Sequence, residues 1–478
     1  MNSCRVSGTG KCATPSSAAD AAHFLLDSRS MGARDEAART PRYLLKPLRG
    51  DLFGHVATII RAVLFVLYDV LLYLVLIVAL PYFVVIGMLR GKYLASFPEQ
   101  MGFYKTPRGA HDLWIHAVSV GETLAARPIV DEILRERPST TIVVTTTTIT
   151  GQAQARRLFP DATVTFFPFD FSGSVTRFLR HHRPRVFATL ETEIWPNTTR
   201  LSLAAGVRML LANGRISDRS LPRYRFLRPI LGPILEKYDY ILARDWTDRA
   251  RFIAIGAPAE IVEITGNVKF DYVADDHPLE IAPRLLSLIA GRKVFVLGST
   301  TQGEDEAMIG ELELFIAEKN AFVVVAPRKP ERFDTVAEIF TAAEIRFIRR
   351  STWSDGPADV LLLDTFGELS KIYRYATAAF IGGSMVPDGG HNPIEAAAAG
   401  VPVCFGPYMS NFREIASAFL RDGGAVVTRS AADVFDFASR MFENEAAQRD
   451  MSERARETVE QNRGASAKTA ARILELLA

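Results

Sequence analysis

Three carboxylates stand just beyond apolar runs, where α/β proteins place their working groups, and one lysine stands at a hinge-side edge further on. Glu122 closes VSVGE after the run LWIHAVSV; Glu191 and Glu193 sit in LETEIWPN after PRVFATL; Lys269 sits in GNVKFD. Two carboxylates as close in sequence as Glu191 and Glu193 repel each other, so without a partner they make little sense as fold stabilisers. Glu122 has two readings. Ser119-x-x-Glu122 has the spacing of a capping box, in which the acid serves a helix start. The same acid at a strand end also faces any ligand held there. Trp195 and Pro196 read as packing, and Asn197 reads as a helix cap before a ligand.

A second constellation is Ile381–Glu395, IGGSMVPDGGHNPIE. ATAAFIGG reads as a buried strand ending in glycines, and IEAAAA reads as a helix with Pro393 at its first turn. Such a loop and helix start should leave several backbone N–H groups unpaired and pointing outward, which favours phosphate. Glu395, one turn in, suits a ribose diol; its plainer role is to complement the helix dipole. Arg328 follows Pro327 at the end of FVVVAP, as a bidentate phosphate ligand or as an exposed loop arginine. In DTFGEL, Gly367 has no Cβ to keep a base or phosphate away, and Glu368 opens a helix.

These residues need a scaffold that brings strand ends to one side. A chain of 478 residues is long enough for two or three domains. The runs TIVVTTTT, TVTFFPFD, VRMLLANG and YDYILARD follow LWIHAVSV at βα spacing, and KVFVLGSTTQGE restarts the same alternation. The fold class is therefore α/β, with two Rossmann-like domains facing across a cleft. The first is expected over 95–270, with Lys269 at its hinge-side edge, a linker over 271–289, and the second domain over 290–450. Helix from 451 to 478 should pack across both domains or on the second.

Residues 1–50 are polar and aperiodic and read as a disordered extension. A membrane-anchor helix is expected over 62–94, because Val70–Leu89 carries no charge and is long enough to cross a bilayer. Asp69 at its edge and Pro81 inside it leave open a helix lying in one leaflet. A net charge of +2 gives no bias toward nucleic acid, and the three cysteines form neither a disulfide framework nor a CxxC metal pair. Arg215, Arg219, Arg223, Arg225 and Arg228 read as a solvated face or, beside an anchor, as a site for phosphorylated lipid headgroups.

WIHAVSVGE, ETEIWPN, NGRISDRS, GNVKFD, GSTTQGE, APRKPERF, DTFGEL and GGSMVPDGGHNPIE occur in this order. The ordered set resembles the 3-deoxy-D-manno-octulosonic acid (Kdo) transferases of lipopolysaccharide synthesis, from about residue 65 to the C-terminus. The resemblance implies a GT-B glycosyltransferase that moves Kdo from CMP-Kdo to a hydroxyl of the lipid A precursor, at the cytoplasmic side of the bacterial inner membrane. It implies Glu122 as general base, with Glu191, Glu193 and Lys269 supporting the transition state. Pro327, Arg328, Phe366, Gly367, Glu368, His391, Asn392, Pro393, Ile394 and Glu395 would contact CMP, and Arg215 and Arg219 the acceptor. The expected partners are CMP-Kdo, the lipid acceptor and membrane lipid, not nucleic acid. No cofactor or metal is implied, in keeping with the lack of an Asp-x-Asp pair.

Overall fold

The computed structural model describes residues 63, 65–79, 81, 96–271, 279–354 and 356–478. The apolar runs of the first half form one sheet: β1 (His111–His116), β2 (Ile142–Thr146), β3 (Thr163–Phe166), β4 (Pro184–Leu190), β5 (Arg208–Gly214), β6 (Tyr240–Ala243) and β7 (Val262–Ile264), in spatial order β3-β2-β1-β4-β5-β6-β7. The second half repeats this with β8 (Val294–Thr300), β9 (Phe322–Pro327), β10 (Phe347–Arg349), β11 (Val360–Leu362), β12 (Ala378–Ile381), β13 (Val403–Phe405) and β14 (Ala425–Val427). Their order is β10-β11-β9-β8-β12-β13-β14. All pairings in both sheets are parallel.

Parallel strands are covered by helices on both faces, which is why these runs are apolar without alternation. Along β1, Leu113 and Ile115 pack with Ile129 and Ile133 on one side. Trp114 packs with Phe178 and Phe187 on the other. In β8, Val294 and Val296 face one cluster while Phe295 and Leu297 face the opposite one. Truncating the fully buried Trp114 to alanine should cost about 3–5 kcal/mol.

Each sheet has a point where its strand order reverses. In the first, the chain runs outward from β1 through β2 to β3, then returns to β4 on the other side of β1. In the second, β8 runs outward through β9, and β12 returns beside β8. At such a switch point, neighbouring loops leave in opposite directions and open a crevice at the carboxyl ends of the strands.

The helices Ala431–Glu443 and Glu445–Gln461 cover the second sheet. The last helix, Ala465–Leu477, returns to the first, where Ala465, Ala470, Ile473 and Leu477 join the cluster of Leu113 and Val186. Of the two placements expected for the C-terminal region, the chain therefore takes the one that spans both sheets. Asp271 fastens this return: its carboxylate accepts from the Gly464 amide at 2.6 Å and the Ser466 amide at 2.5 Å. In the expected linker, residues 272–278 lie outside the described residues. Leu279, Ile281 and Leu285 already belong to the second core.

Residues 65–79 form a helix docked on the first sheet's helices by polar contacts. Tyr68 Oη donates to Asp170 Oδ2 at 3.1 Å, and Asp69 accepts from the Ser172 amide at 3.1 Å and from Asn197 Nδ2 at 2.8 Å. Asp69 thus has a docking role that its apolar surroundings did not suggest, and the Asn197 side chain is a tie to Asp69 and the Asp170 carbonyl, not a cap. Val66, Leu67, Leu71 and Val78 point to solvent. No helix among the described residues is long and apolar enough to cross a membrane. Most of the rest of the expected anchor segment, and all of residues 1–50, fall outside the described residues.

Candidate active site

The three acids lie at the switch point of the first sheet. Glu122 is in the first turn of the helix Val120–Glu136, which leaves β1; Glu191 and Glu193 are on the loop leaving β4. Glu122 accepts from the Val118 amide at 2.8 Å and from Ser119 Oγ at 3.1 Å. The capping box does not form: the amide that donates to Glu122 is that of Val118, one residue before the N-cap Ser119, and the Ser119 hydroxyl donates to Glu122 with no cap bond to the helix. Burial, then the negative charge of Glu191, push the Glu122 carboxyl up to about 7, with Glu193 adding to the rise; the bonds from Val118 and Ser119 oppose it. A carboxyl at that value can exchange a proton near neutral pH.

Glu191 stands in left-handed backbone, φ 59°, unusual for a residue with a side chain. Its amide donates to the Ala212 carbonyl at 2.9 Å as the chain leaves the sheet. The carboxylate meets Arg244 Nη2 at 2.8 Å and Lys269 Nζ at 3.2 Å. Burial alone would raise it; Arg244, then Lys269, hold it below the usual carboxylate range. Glu193 accepts instead from Trp195 Nε1 at 2.8 Å, and burial raises its carboxyl. The two neighbouring acids are thus driven in opposite directions, a pattern that separates roles within a site. Burial lowers Lys269, with Glu191 opposing.

The carboxyl-end loops of the two sheets meet. Lys269 lies 5.3 Å from the Phe412 ring centre. Arg215 Nη2 donates to the Ser410 carbonyl at 3.3 Å, and Asn267 Nδ2 to Glu414 at 3.4 Å. Arg413 pairs with Asp218 at 2.9 Å. Gly367 approaches from another side, its open Cβ position 3.8 Å from Arg157 Nη1 of the first sheet's helix Ile149–Leu158.

At the second switch point, Arg328, His391, Asn392 and Glu395 gather. Burial raises Glu395 to about 7 against the opposing pull of Arg328 and Asn392. Burial, then Arg328, depress His391 to about 4, and its buried Nε2 has no hydrogen-bond partner among the described residues. Asn392 Oδ1 accepts from the Ile394 amide at 3.2 Å. Arg328 is exposed, Pro327 ends β9, Pro393 is buried, and the Ile394 side chain is wholly in the core. Phe366 is 61% exposed at a loop tip, while Glu368 is tied to Arg350 at 3.0 Å and to the Thr365 hydroxyl. Arg219 is exposed beside Asp218, outside the acid cluster.

Comparison with known proteins decides the family. The family profile described as 3-deoxy-D-manno-octulosonic-acid transferase (kdotransferase) matches residues 95–272. A 3-deoxy-D-manno-octulosonic acid transferase of Haemophilus influenzae is 33% identical over 406 residues, 82% of this chain and 93% of the relative. One from Bordetella pertussis is 37% identical over 373 residues, 75% of this chain and 86% of the relative. The chain belongs to the Kdo transferase family. It is a glycosyltransferase. A solved glycosyltransferase from Rickettsia africae shares its fold, with a TM-score of 0.52, 11% identity, and coverage of 78% of this chain and 99% of that one. The architecture is GT-B-like.

In this Kdo transferase, one expectation about the glycine-rich loop fails. The amides of Gly383, Ser384 and Met385, expected to be unpaired, all donate to the Glu304 carboxylate, at 2.7, 2.9 and 2.8 Å. Glu304 comes from GSTTQGE on the neighbouring strand's loop, and local sequence gives no sign of that pairing. Arg244 was missed too. It sits in the unremarkable YDYILARD, and only the sheet order brings it under Glu191.

Proposed function

We propose that this enzyme transfers Kdo from CMP-Kdo, with inversion, to a hydroxyl of the lipid A precursor. The observation that carries the reading is Glu122: a carboxyl raised to about 7 at a strand-order reversal, beside a second acid kept ionised by Arg244 and Lys269. Glu122 takes the proton from the acceptor hydroxyl as its oxygen bonds to the anomeric carbon of Kdo. The bond from that carbon to the phosphate oxygen breaks, and its electron pair leaves with CMP. Lys269, held by Glu191, supports the transition state from the first sheet's side. Arg328 on the other side answers the leaving phosphate. Glu395 and Asn392 take the ribose, and exposed Phe366 stacks with the base. A positioned base contributes about 10²–10⁴ in rate.

The acceptor is a lipid, and the exposed apolar side of helix 65–79 suits a membrane surface. Arg223, Arg225 and Phe226, all exposed, add a basic and aromatic patch suited to anionic headgroups. Both features suit an enzyme that works at the cytoplasmic face of the inner membrane.

The test is mass spectrometry of the product formed from CMP-Kdo and tetraacyl lipid A precursor by the wild type and by Glu122→Gln, with CMP and UDP compared for protection against thermal unfolding. Kdo addition by the wild type alone, with protection by CMP and not UDP, is expected. Protection by UDP in place of CMP would redirect the donor assignment, and full transfer by Glu122→Gln would remove the base.

A further inference from the structure

The Glu304 side chain is 1% exposed and receives five hydrogen bonds. Oε1 accepts from the amides of Ser384 and Met385; Oε2 accepts from the amides of Gly383 and Thr301 and from the Thr301 hydroxyl at 3.2 Å. Successive amides converging in this way make an anion cradle. Here the anion belongs to the protein.

The cradle is joined to the loop that carries His391 and, through Ser299 and Thr300, to Arg328. Gly383 has no room for a side chain, because the His391 ring lies 2.8 Å from its Cβ position. The Gly383 carbonyl accepts from the Gly390 amide at 2.7 Å and so sets the return of the loop that carries His391–Glu395. Gly382 is pressed on the backbone of Ser299, whose carbonyl lies 2.4 Å from the Gly382 Cβ position. The next carbonyl, Thr300, accepts from the Arg328 amide at 2.9 Å.

We infer that Glu304 is a positioning residue for the nucleotide donor: a built-in carboxylate fills the amide cradle of the 382–385 turn and thereby fixes His391–Glu395 against Arg328. The donor phosphate is then met by Arg328 and not by the glycine-rich amides. The inference rests on the donor assignment of the preceding subsection. Glu304 touches neither donor nor acceptor, so its loss acts on donor binding and leaves Glu122 and Lys269 undisturbed.

The test compares full-length wild type, Glu304→Gln and Glu304→Asp. Glutamine keeps the size, but either orientation of its amide turns an N–H₂ toward at least two N–H donors. Loss of these charge-assisted bonds should raise KM for CMP-Kdo and Kd for CMP by about tenfold or more, with kcat changed much less. Hydrogen exchange of amides 383–385 should quicken. Aspartate keeps the charge and should restore part of the affinity. Quickened exchange with unchanged CMP affinity would overturn the inference, as would a fall in thermal stability with KM and kcat both intact. Should the glutamine variant not fold, Glu304→Asp carries the test, and wild-type KM in it overturns the idea. A wild type that binds no CMP would instead sink the donor assignment.

Discussion

As the proposed base, the Glu122 carboxyl, raised to about 7 by burial and by Glu191, should tie rate to pH. Its base form is about a tenth of the population at pH 6 and about nine tenths at pH 8, so kcat/KM should climb about tenfold between them. Lipid phosphates also titrate in this range, so the rise alone decides little. The discriminating change is Glu191→Gln. It deletes the charge that ranks second only to burial in raising Glu122, so the midpoint of the rise should move to lower pH even if the maximum rate falls. Glu122→Gln should lose about 10²–10⁴ in rate and flatten the profile. The assay is the initial rate of Kdo transfer to lipid A precursor from pH 5.5 to 8.5 in one mixed buffer at constant ionic strength. A midpoint that stays put in Glu191→Gln, or a pH-dependent rate retained by Glu122→Gln, would refute the assignment of the base.

Two further outcomes are expected. His182 is fully buried with neither ring nitrogen bonded among the described residues, and burial, then His181 and His111, depress it from 6.5 to about 3. The fold refuses a proton that the unfolded chain accepts, so stability is complete above pH 6.5 and lost as pH falls toward 3, by about 2 kcal/mol at pH 5. Thermal melts at pH 7.5 and 5.0 should show a smaller acid-induced drop in Tm for His182→Leu than for the wild type; equal drops would exonerate this histidine. Asp69→Ala strands the donors of Ser172 and Asn197, and should loosen helix 65–79 by about 1–3 kcal/mol, read as faster hydrogen exchange in that helix with the sheet unaffected.

The strands were legible because parallel sheets demand unbroken apolar runs, and LWIHAVSV, VRMLLANG and FVVVAP have them. The position of the acids was legible because the apolar runs before them mark where β1 and β4 end. Their partners were not. Arg244 reaches Glu191 across 53 residues of sequence, and Glu304 reaches Gly383 across 79. Neither pairing follows from helical or strand periodicity, since strand order alone brings β6 near β4 and β8 beside β12. The glycine-rich turn misled for the same reason: its local chemistry advertises open amides, and a remote carboxylate answers them. The short strands β10 and β11, three residues each, are below the length at which a hydrophobic pattern stands out from a loop.

The clasp at Asp271 has a mechanical consequence. The chain passes from one Rossmann half to the other after Asp271 and comes back just before Ala465, and a single carboxylate pins the two passages side by side. Two cords tied together at one point behave like a door hung on a single pivot: swinging stays easy, while shearing and corkscrew motions are stiff. The jaws of this transferase should therefore gape and shut along one arc, and a chain cut free at Asp271→Ala should sample a wider spread of interdomain distances in solution scattering.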